Sequence, residues 1–311
     1  MRINVIIAGH KAHASCVFKE INKVAHVRIV GVFTDRNDKF CILDEKTISE
    51  LAERDGIKVY DAESLNRPTL EKINKDAPIH FLIFAEWRCL IEQSVFTFPV
   101  YGSYNIHDSL LPKYRGSSPM NWAMINGEGY TGVTFYRIEN RADSGDIFSQ
   151  IRIPIEFSDY AMDVLYKVTE AYGDAVVSGI NAVLNQDTPI KQSEEKATYC
   201  AKRIPEDGLL NFNEPIVSIY NKIRALSCPF PGAFAFYKGR KTKINRASIM
   251  RKTYKYIGFI PGYLLNSESV LVLCKEGILC IAEIEVVING KKVTDPKKFF
   301  TDKTARLVST E

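Results

Sequence analysis

The first part of the chain alternates short apolar runs with amphipathic segments, and this alternation constrains the fold more than any other feature of the sequence. Apolar runs predict strands at residues 3–8, 27–34, 79–85, 102–107, 131–137 and 148–155. Helical periodicity predicts helices at residues 14–24, 47–54, 119–125 and 161–184. Because strands that alternate with helices form doubly wound, mostly parallel sheets, we predict an α/β domain whose ligands bind beyond the carboxyl ends of its strands.

The rest of the chain has a different pattern. A polar stretch at residues 185–201 is followed by a helical segment at 215–225 and then by short apolar runs. These runs predict strands at residues 233–237, 242–247, 256–261, 270–274 and 279–287, a succession that is typical of a small β-barrel. We therefore expect an α/β domain at residues 1–190, a linker at 191–208 and a barrel domain at 209–311.

The composition is that of an ordinary globular protein, with 46% hydrophobic and 25% charged residues. The net charge of +4 is too small to indicate general nucleic-acid binding, and no apolar run has the length of a membrane span. The first predicted strand is not followed by the small-residue cleavage site of a signal peptide. We expect a cytoplasmic protein without a membrane partner.

The spacing of cysteines and histidines gives no metal signature. The seven cysteines are an odd number without a Cys-x-x-Cys pair, which indicates neither a disulfide framework nor a zinc site. His10 and His13 flank the turn after the first predicted strand, where metal ligands are conceivable. Because no carboxylate lies near them in the sequence, we interpret them as solvated turn histidines and expect no metal.

Three residues, Asn105, His107 and Asp143, have the side chains that acyl transfer to an amine requires. Asn105 can donate an N–H to a developing oxyanion, His107 can move the proton of the amine, and Asp143 can fix the tautomer of His107. Asn105 and His107 are two residues apart near a predicted strand end, so their side chains lie on the same strand face. A purely structural histidine at a strand end is the alternative that this pattern leaves open.

A nicotinamide-dependent oxidoreductase is a rival from another function class. In such proteins the turn after the first strand has the pattern Gly-x-Gly-x-x-Gly, which holds the cofactor's pyrophosphate. This chain has Ala8-Gly9-His10-Lys11-Ala12-His13 at that turn. The missing glycines count against the oxidoreductase.

Several short motifs resemble the signature of the formyltransferases that use 10-formyltetrahydrofolate. They are Asn105-Ile106-His107, Ser109-Leu110-Leu111-Pro112, Lys113-Tyr114-Arg115-Gly116, Asp143-Ser144-Gly145 and Pro231-Gly232-Ala233-Phe234, which together extend over most of the chain. The resemblance implies that Asn105, His107 and Asp143 are the catalytic triad and that 10-formyltetrahydrofolate is the cosubstrate. It also implies a Rossmann-like domain followed by an OB-like barrel. Within the family, the motifs are most similar to those of sugar N-formyltransferases such as the formyltransferase domain of the bifunctional polymyxin-resistance enzyme.

The resemblance also implies residues that contact the two substrates. For folate it implies a pterin-binding loop with Trp87, Cys89, Leu90 and Ile91, and a facing wall with Glu139, Asn140, Arg141 and Ala142. For the phosphates of the acceptor, we consider the basic residues Lys113, Arg115, Lys202 and Arg203. Ser117 stands where the sugar enzyme has an arginine that contacts substrate or cofactor, which leaves the identity of the acceptor open.

These observations predict formyl transfer to the exocyclic amine of a nucleotide-linked amino sugar, a precursor of lipopolysaccharide or another surface glycan. The alternatives are methionyl-tRNA formyltransferase and a binding module without turnover. The basic segment at residues 238–246 fits either a nucleic-acid surface or the solvated face of a strand, and its alternation favours the strand. The loop at residues 35–41 lacks the basic insertion expected for gripping tRNA. We expect no nucleic-acid partner, and a homodimer is the assembly that we consider.

Overall fold

The computed structural model describes residues 2–35, 46–250, 256–265, 268–302 and 304–309, so most of the 35–41 loop lies outside the described residues. The chain divides into two compact units. The first comprises Met1–Pro119, Tyr130–Pro154 and Leu165–Ala201, and the second comprises Met120–Gly129, Ile155–Val164 and Lys202–Glu311. Residues 120–129 and 155–164 thus fold with the second unit, whereas the predicted boundaries at 190 and 208 treat the two domains as consecutive segments.

The first unit is built on a seven-stranded sheet. The strands of the first unit are β1 (Ile3–Gly9), β2 (Val27–Thr34), β3 (Val59–Asp61), β4 (Phe81–Ala85), β5 (Ser103–His107), β6 (Arg115–Gly116), β7 (Tyr130–Arg137), β8 (Ile147–Pro154) and β9 (Tyr199–Cys200). Of these, β6 and β9 form a separate two-stranded sheet. The sheet order is β3-β2-β1-β4-β5-β7-β8. The first five strands are parallel to one another, β7 is antiparallel to β5, and β8 is antiparallel to β7. All residues of β1 and β4 are buried, as expected for a parallel sheet covered on both faces. The predicted doubly wound, mostly parallel sheet is confirmed.

The helices of both units lie mainly where the periodicity places them. They are α1 (Lys11–Asn22), α2 (Ile48–Arg54), α3 (Arg67–Asp76), α4 (Gln93–Phe96), α5 (Pro119–Ile125), α6 (Ala161–Leu184), α7 (Ile216–Leu226) and α8 (Pro296–Phe299). The sequence prediction missed α3, although Asn66 caps it by accepting the Thr69 N–H and a proline stands in its first turn. None of the helices in the described ranges combines the length and apolarity needed to cross a membrane.

The sheet order places a crevice at the carboxyl ends of its central strands. The chain runs outward from β1 to β2 and β3 and then returns to β4 and β5 on the other side of β1, which makes a topological switch point. Here β1 and β4 approach so closely that a Cβ on Gly9 would lie 2.3 Å from the Ala85 carbonyl oxygen. A glycine is therefore required where β1 ends and the crevice begins.

The second unit contains an antiparallel, barrel-like sheet. Its strands are β10 (Ala233–Tyr237), β11 (Arg240–Ile249), β12 (Leu264–Leu265), β13 (Val270–Cys274), β14 (Gly277–Ile288), β15 (Lys291–Val293) and β16 (Leu307–Val308). The order is β12-β13-β14-β11-β10-β16, with β15 paired to β14. The inner sheet face and α7 share one apolar core that includes Ile219, Ile223, Ala235, Ile244 and Leu279. The OB-like barrel predicted for this part of the chain is confirmed.

One predicted strand is wrong. Residues 256–261 form turns and irregular structure, and the short strand β12 begins only at Leu264. The segment contains Gly258 and Pro261, and Ile257 is almost fully exposed. Glycine and proline weaken strand pairing, and an exposed isoleucine makes no core contact that would hold a strand in the sheet.

Candidate active site

Asn105 and Asp143 are joined through a tyrosine that the sequence prediction did not include. Asn105 on β5 lies directly opposite Tyr136 on the antiparallel strand β7, so the two side chains share one sheet face. The Asn105 Nδ2 donates to the Tyr136 hydroxyl at 2.8 Å, and that hydroxyl donates to Asp143 Oδ1 at 2.6 Å. The chain of hydrogen bonds fixes both the amide and the carboxylate.

The protonation of Tyr136 determines how the Asn105 amide is oriented. Burial, and after it the Asp143 carboxylate, raise the pKa of Tyr136 well above its usual value, so the hydroxyl stays protonated. Its single proton goes to Asp143, and the hydroxyl oxygen must therefore accept from the Asn105 amide nitrogen. Asn105 Oδ1 is then left buried without a hydrogen-bond partner in the described part of the chain. A second amide N–H of Asn105 is also available to a ligand.

A backbone carbonyl, rather than Asp143, holds the His107 ring. This corrects the prediction that Asp143 fixes the tautomer of His107. The Nε2 atom lies 2.8 Å from the Tyr114 carbonyl oxygen, and because a carbonyl can only accept, this nitrogen carries the proton. The two Asp143 oxygens accept instead from Tyr136 and from the Gly116 N–H at 2.8 Å. No hydrogen bond among the described residues joins Asp143 to His107. Nδ1 of His107 is thus the nitrogen that can exchange a proton with a reacting group.

Arg115, predicted as a phosphate ligand, is buried within the first unit. Only 1% of its side chain is exposed, and its guanidinium donates to Gln192, Glu194 and the Tyr199 hydroxyl. Gln192 in turn donates to the carbonyls of Asp143 and Gly145. Arg115 therefore has its donors engaged inside the protein, and it supports the Asp143 loop. Its position corrects the prediction of a phosphate contact.

A cavity of about 770 Å³ lies beside β5 and contains part of the predicted folate wall. Glu139, Asn140 and Arg141 line it together with Ser103, the first residue of β5. The Ser103 hydroxyl is buried and has no hydrogen-bond partner within the ranges that the structure describes. The sequence prediction missed Ser103, although its spacing of two from Asn105 on the same strand places it on the same face.

The remaining predicted folate residues are not among those that line this cavity. Trp87 stacks on His10 at 5.4 Å between ring centroids, and Ile91 packs against the apolar core beneath the sheet. Cys89 is exposed, and Leu90 is 98% exposed. Ala142 is exposed on the loop that precedes Asp143. An exposed leucine is a large apolar surface that a bound ligand would cover.

The other residues predicted to contact the acceptor are divided between the two units. Lys113 is exposed and Ser117 is half-buried, and both lie in the first unit close in sequence to His107. Lys202 and Arg203 belong to the second unit, where the Arg203 guanidinium lies 5.8 Å from the Trp122 ring centroid. Their contacts with an acceptor stay predictions.

The interpretation of His10 and His13 as solvated turn histidines is wrong. Both are buried, because His13 lies on α1 facing the sheet and His10 stacks on Trp87. A carboxylate is also near, since His13 Nδ1 lies 3.9 Å from Glu86 Oε1. Glu86 is distant in sequence and reaches His13 because β4 is the neighbour of β1. Among the described residues, His13, Glu86 and Asp108 form a set with the spacing of metal ligands.

A switch-point crevice with an amide donor and a proton-exchanging histidine is an arrangement suited to group transfer in α/β folds. Residues 1–180 match the formyl transferase family model, and residues 203–304 match the model of the formyl transferase C-terminal domain. The chain belongs to the formyl transferase family.

Solved structures with the same fold differ in their names and bound molecules. An N-formyltransferase from Helicobacter canadensis, in complex with folinic acid and dTDP-3-aminofucose, has 24% identity and a TM-score of 0.68, over 90% of this chain and 98% of that chain. Methionyl-tRNA formyltransferase from Clostridium thermocellum has 17% identity and a TM-score of 0.61, over 92% and 99%. HypX from Aquifex aeolicus, in complex with tetrahydrofolic acid, has 16% identity and a TM-score of 0.62 over 96% of this chain. This chain spans about half of HypX, covering 47% of its length.

Proposed function

We propose that this chain transfers a formyl group from 10-formyltetrahydrofolate to the exocyclic amine of a nucleotide-linked amino sugar. The observation that carries the proposal is the Asn105–Tyr136–Asp143 chain of hydrogen bonds, which fixes the Asn105 amide and leaves its second N–H for a ligand beside His107. Preorganised donors of this kind stabilise the negative charge that develops when an amine attacks a carbonyl carbon.

Each residue has a separate task in this reaction. 10-Formyltetrahydrofolate supplies the activated formyl group. The free Asn105 N–H donates to the formyl oxygen, and Tyr136 and Asp143 keep the amide in that orientation. His107 exchanges the proton of the amine through Nδ1, because its Nε2 is held by the Tyr114 carbonyl. Asp143 acts through Asn105 rather than through His107.

The cavity beside β5 supports folate as the cosubstrate. Ser103 contributes a buried hydroxyl without a partner in the described chain, and Asn140 and Glu139 add polar groups to the same wall. A pterin ring has hydrogen-bonding groups along its edge and suits such a lining. Folinic acid and tetrahydrofolic acid, bound by the two neighbours named above, support the same assignment.

The charges on β11 favour a nucleotide sugar over tRNA. In the basic segment at residues 238–246, Lys238, Lys243 and Arg246 form ion pairs with Asp302, Glu285 and Glu283. Thr242 and Ile244 alternate with Lys241 and Lys243 and are fully buried, which supports the predicted solvated strand face. Because three of these bases have acidic partners, part of the positive charge that the segment could offer to an RNA backbone is compensated. Lys113, Ser117, Lys202 and Arg203 are proposed contacts for the acceptor.

A panel assay tests the proposal. Purified protein is incubated with 10-formyltetrahydrofolate and dTDP-, UDP- and GDP-linked amino sugars, with methionyl-tRNA as a further acceptor, and formylated products are identified by mass spectrometry. We expect a formyl amide on one class of amino-sugar nucleotide. Faster formylation of methionyl-tRNA than of every amino sugar would contradict it. Cytoplasmic location and a homodimer stay predictions.

A further inference from the structure

A second polar cluster lies next to the proposed reaction site, and the mechanism above does not use it. His13 lies on α1, Glu86 follows the last residue of β4, and Asp108 follows His107, the last residue of β5. One nitrogen or oxygen of each side chain lies within 4.8 Å of the others. All three residues belong to the carboxyl edge of the sheet, where ligands of doubly wound folds bind.

The tautomer of His13 can be read from its neighbours. Its Nε2 lies 3.4 Å from the Thr169 hydroxyl, and that hydroxyl gives its own proton to the Leu165 carbonyl at 2.8 Å. In the neutral ring, Nε2 therefore donates to Thr169, and Nδ1 carries a lone pair. Nδ1 is buried and has no hydrogen-bond partner in the described chain, and His13 is only 3% exposed. A buried acceptor without a donor is a position where a ligand, a water molecule or an ion can bind.

The charges of the cluster leave one carboxylate uncompensated. Lys11 forms an ion pair with Glu86 at 2.8 Å, whereas Asp108 accepts a hydrogen bond from the neutral Tyr172 hydroxyl. With a neutral His13, the side chains of Lys11, Glu86 and Asp108 together carry one negative unit, and Arg88 also faces Glu86. A single positive charge balances this negative unit, whereas a divalent cation would leave an excess positive charge beside the Lys11 ammonium.

The surroundings of Asp108 raise its affinity for a proton. Burial raises the pKa of Asp108, and the Glu86 carboxylate raises it further. His13 and His107 in their protonated forms, and the Tyr172 hydroxyl, act in the opposite direction. Glu86 itself is faced by Lys11, His13 and Arg88, which outweigh its burial and hold its pKa below the usual value. Asp108 is thus the better proton acceptor of the two carboxyl groups.

We propose that His13, Glu86 and Asp108 bind the ammonium group of the acceptor and that Asp108 removes one of its protons. An ammonium has three N–H donors, and the cluster offers three acceptors. Three acceptors at about 2.9 Å from one nitrogen in tetrahedral directions are themselves about 4.7 Å apart, and the three ligand atoms of the cluster lie within 4.8 Å of one another. This inference rests on the proposed function.

Asp108 and His107 accept the two protons that the acceptor nitrogen loses in the reaction. An N–H bond of the ammonium breaks and an O–H bond forms on Asp108, while the electron pair stays on nitrogen and makes it nucleophilic. After attack on the formyl carbon, the second proton leaves the nitrogen through His107 and passes to the folate nitrogen that departs. Asp108 follows His107 directly in the chain at the end of β5, so both proton acceptors belong to the carboxyl edge of the sheet.

The Asp108→Asn variant tests the inference with two readouts. Calorimetry compares dTDP-3-aminofucose with dTDP-fucose, which has a hydroxyl in place of the amine. We expect wild type to prefer the amine and the variant to lose about 10-fold or more of that preference, because one charged hydrogen bond is removed. The kcat/KM of the variant should fall by about 100-fold at neutral pH. This deficit should shrink as pH rises, because more of the amine then arrives unprotonated.

Two further variants keep the test decisive. Asp146→Asn is the matched control, because Asp146 pairs with the exposed Lys191 outside the cluster, and it should keep both the preference and the pH profile. His13→Phe preserves the ring packing on Tyr172, where the centroids are 4.5 Å apart, and removes the Nδ1 lone pair. It should also lose amine preference, and it replaces Asp108→Asn if that variant fails to fold.

The outcomes separate this inference from the proposed function. If wild type formylates no amino sugar, the proposed function fails. If wild type is active and Asp108→Asn keeps both its amine preference and its pH profile, the ammonium site alone is overturned. Loss of wild-type activity in a chelator, restored by a divalent cation in wild type but not in Asp108→Asn, would overturn it in favour of a metal site.

Discussion

Two sets of buried polar groups, one in each unit, differ in whether the protein itself provides their hydrogen-bond partners. In the second unit, Arg224 is 2% exposed, and its guanidinium donates to Asn221 and to the carbonyls of Glu156 and Asp159. In the first unit, Ser103 and Asn105 lie on one face of β5 and each keeps a buried polar atom without a partner among the described residues. Because an unpaired buried polar group destabilises a protein, such a group is a candidate for contact with a ligand or a bound water. The comparison separates a structural polar network from a functional one.

The largest expected effect concerns His107, on the functional side of this comparison. His107→Ala should lower kcat by about 10²–10⁴-fold, as expected when a positioned acid–base group is removed. Affinity for folinic acid, measured by calorimetry, should stay near that of wild type. His80→Gln is the control, because His80 is also a buried histidine of the first unit and accepts the Asn4 N–H. A His107→Ala enzyme with a third of wild-type turnover would contradict the catalytic role.

Tyr136→Phe sharpens the comparison by removing one hydroxyl from the functional network. The Asn105 amide would lose its fixed orientation, and kcat should fall by up to about 100-fold, because small misplacements of a catalytic group are costly. KM for 10-formyltetrahydrofolate should change little. Steady-state kinetics and thermal unfolding are measured on the same samples.

Tyr104→Phe is the matched control for this substitution. Tyr104 is a buried tyrosine of β5 whose hydroxyl donates to the Tyr101 carbonyl, outside the Asn105 network. It should retain turnover. Equal losses of kcat in the two variants would show that Tyr136 acts only through stability.

Disrupting the structural network around Arg224 should lower stability and leave turnover nearly unchanged. Arg224→Met leaves the Glu156 and Asp159 carbonyls without their donor, and the free energy of unfolding should fall by about 1–3 kcal/mol. Turnover at a temperature where the variant is folded should stay within about threefold of wild type. Denaturant unfolding and kinetics provide the two values. A large loss of kcat at unchanged stability would remove the distinction between the two networks.

The smallest expected effect concerns the basic face of β11. Lys243 pairs with Glu285, and the Lys241 ammonium lies 3.9 Å from the centroid of the Phe234 ring. Replacing both lysines by glutamine should leave kcat/KM for the amino-sugar nucleotide within about threefold, as for most surface substitutions. A tenfold rise in KM would show that this face binds the acceptor.

The sequence predicted the architecture better than the hydrogen bonds of the site. Period-two and helical patterns located most strands and helices because burial on a regular element imposes that spacing. The partner of Asp143 depended on the cross-strand register of Asn105 and Tyr136, which no local pattern encodes. From the sequence, Arg115 is predicted to be an exposed basic residue. Its burial depends on Gln192 and Glu194, which are distant from it in sequence. The contact between His13 and Glu86 likewise requires that β1 and β4 be neighbours.

A competition assay tests the central claim of amino-sugar formylation most directly. The enzyme, 10-formyltetrahydrofolate, dTDP-3-aminofucose or the best amino-sugar nucleotide of the panel, and methionyl-tRNA are mixed, and both products are quantified at two salt concentrations. We predict a higher kcat/KM for the sugar nucleotide, with KM rising by less than about tenfold between about 50 and 200 mM salt, against the 10³–10⁵-fold loss of affinity for six to ten phosphate contacts. Preferential formylation of methionyl-tRNA, with a steep loss of affinity at the higher salt concentration, would contradict the account.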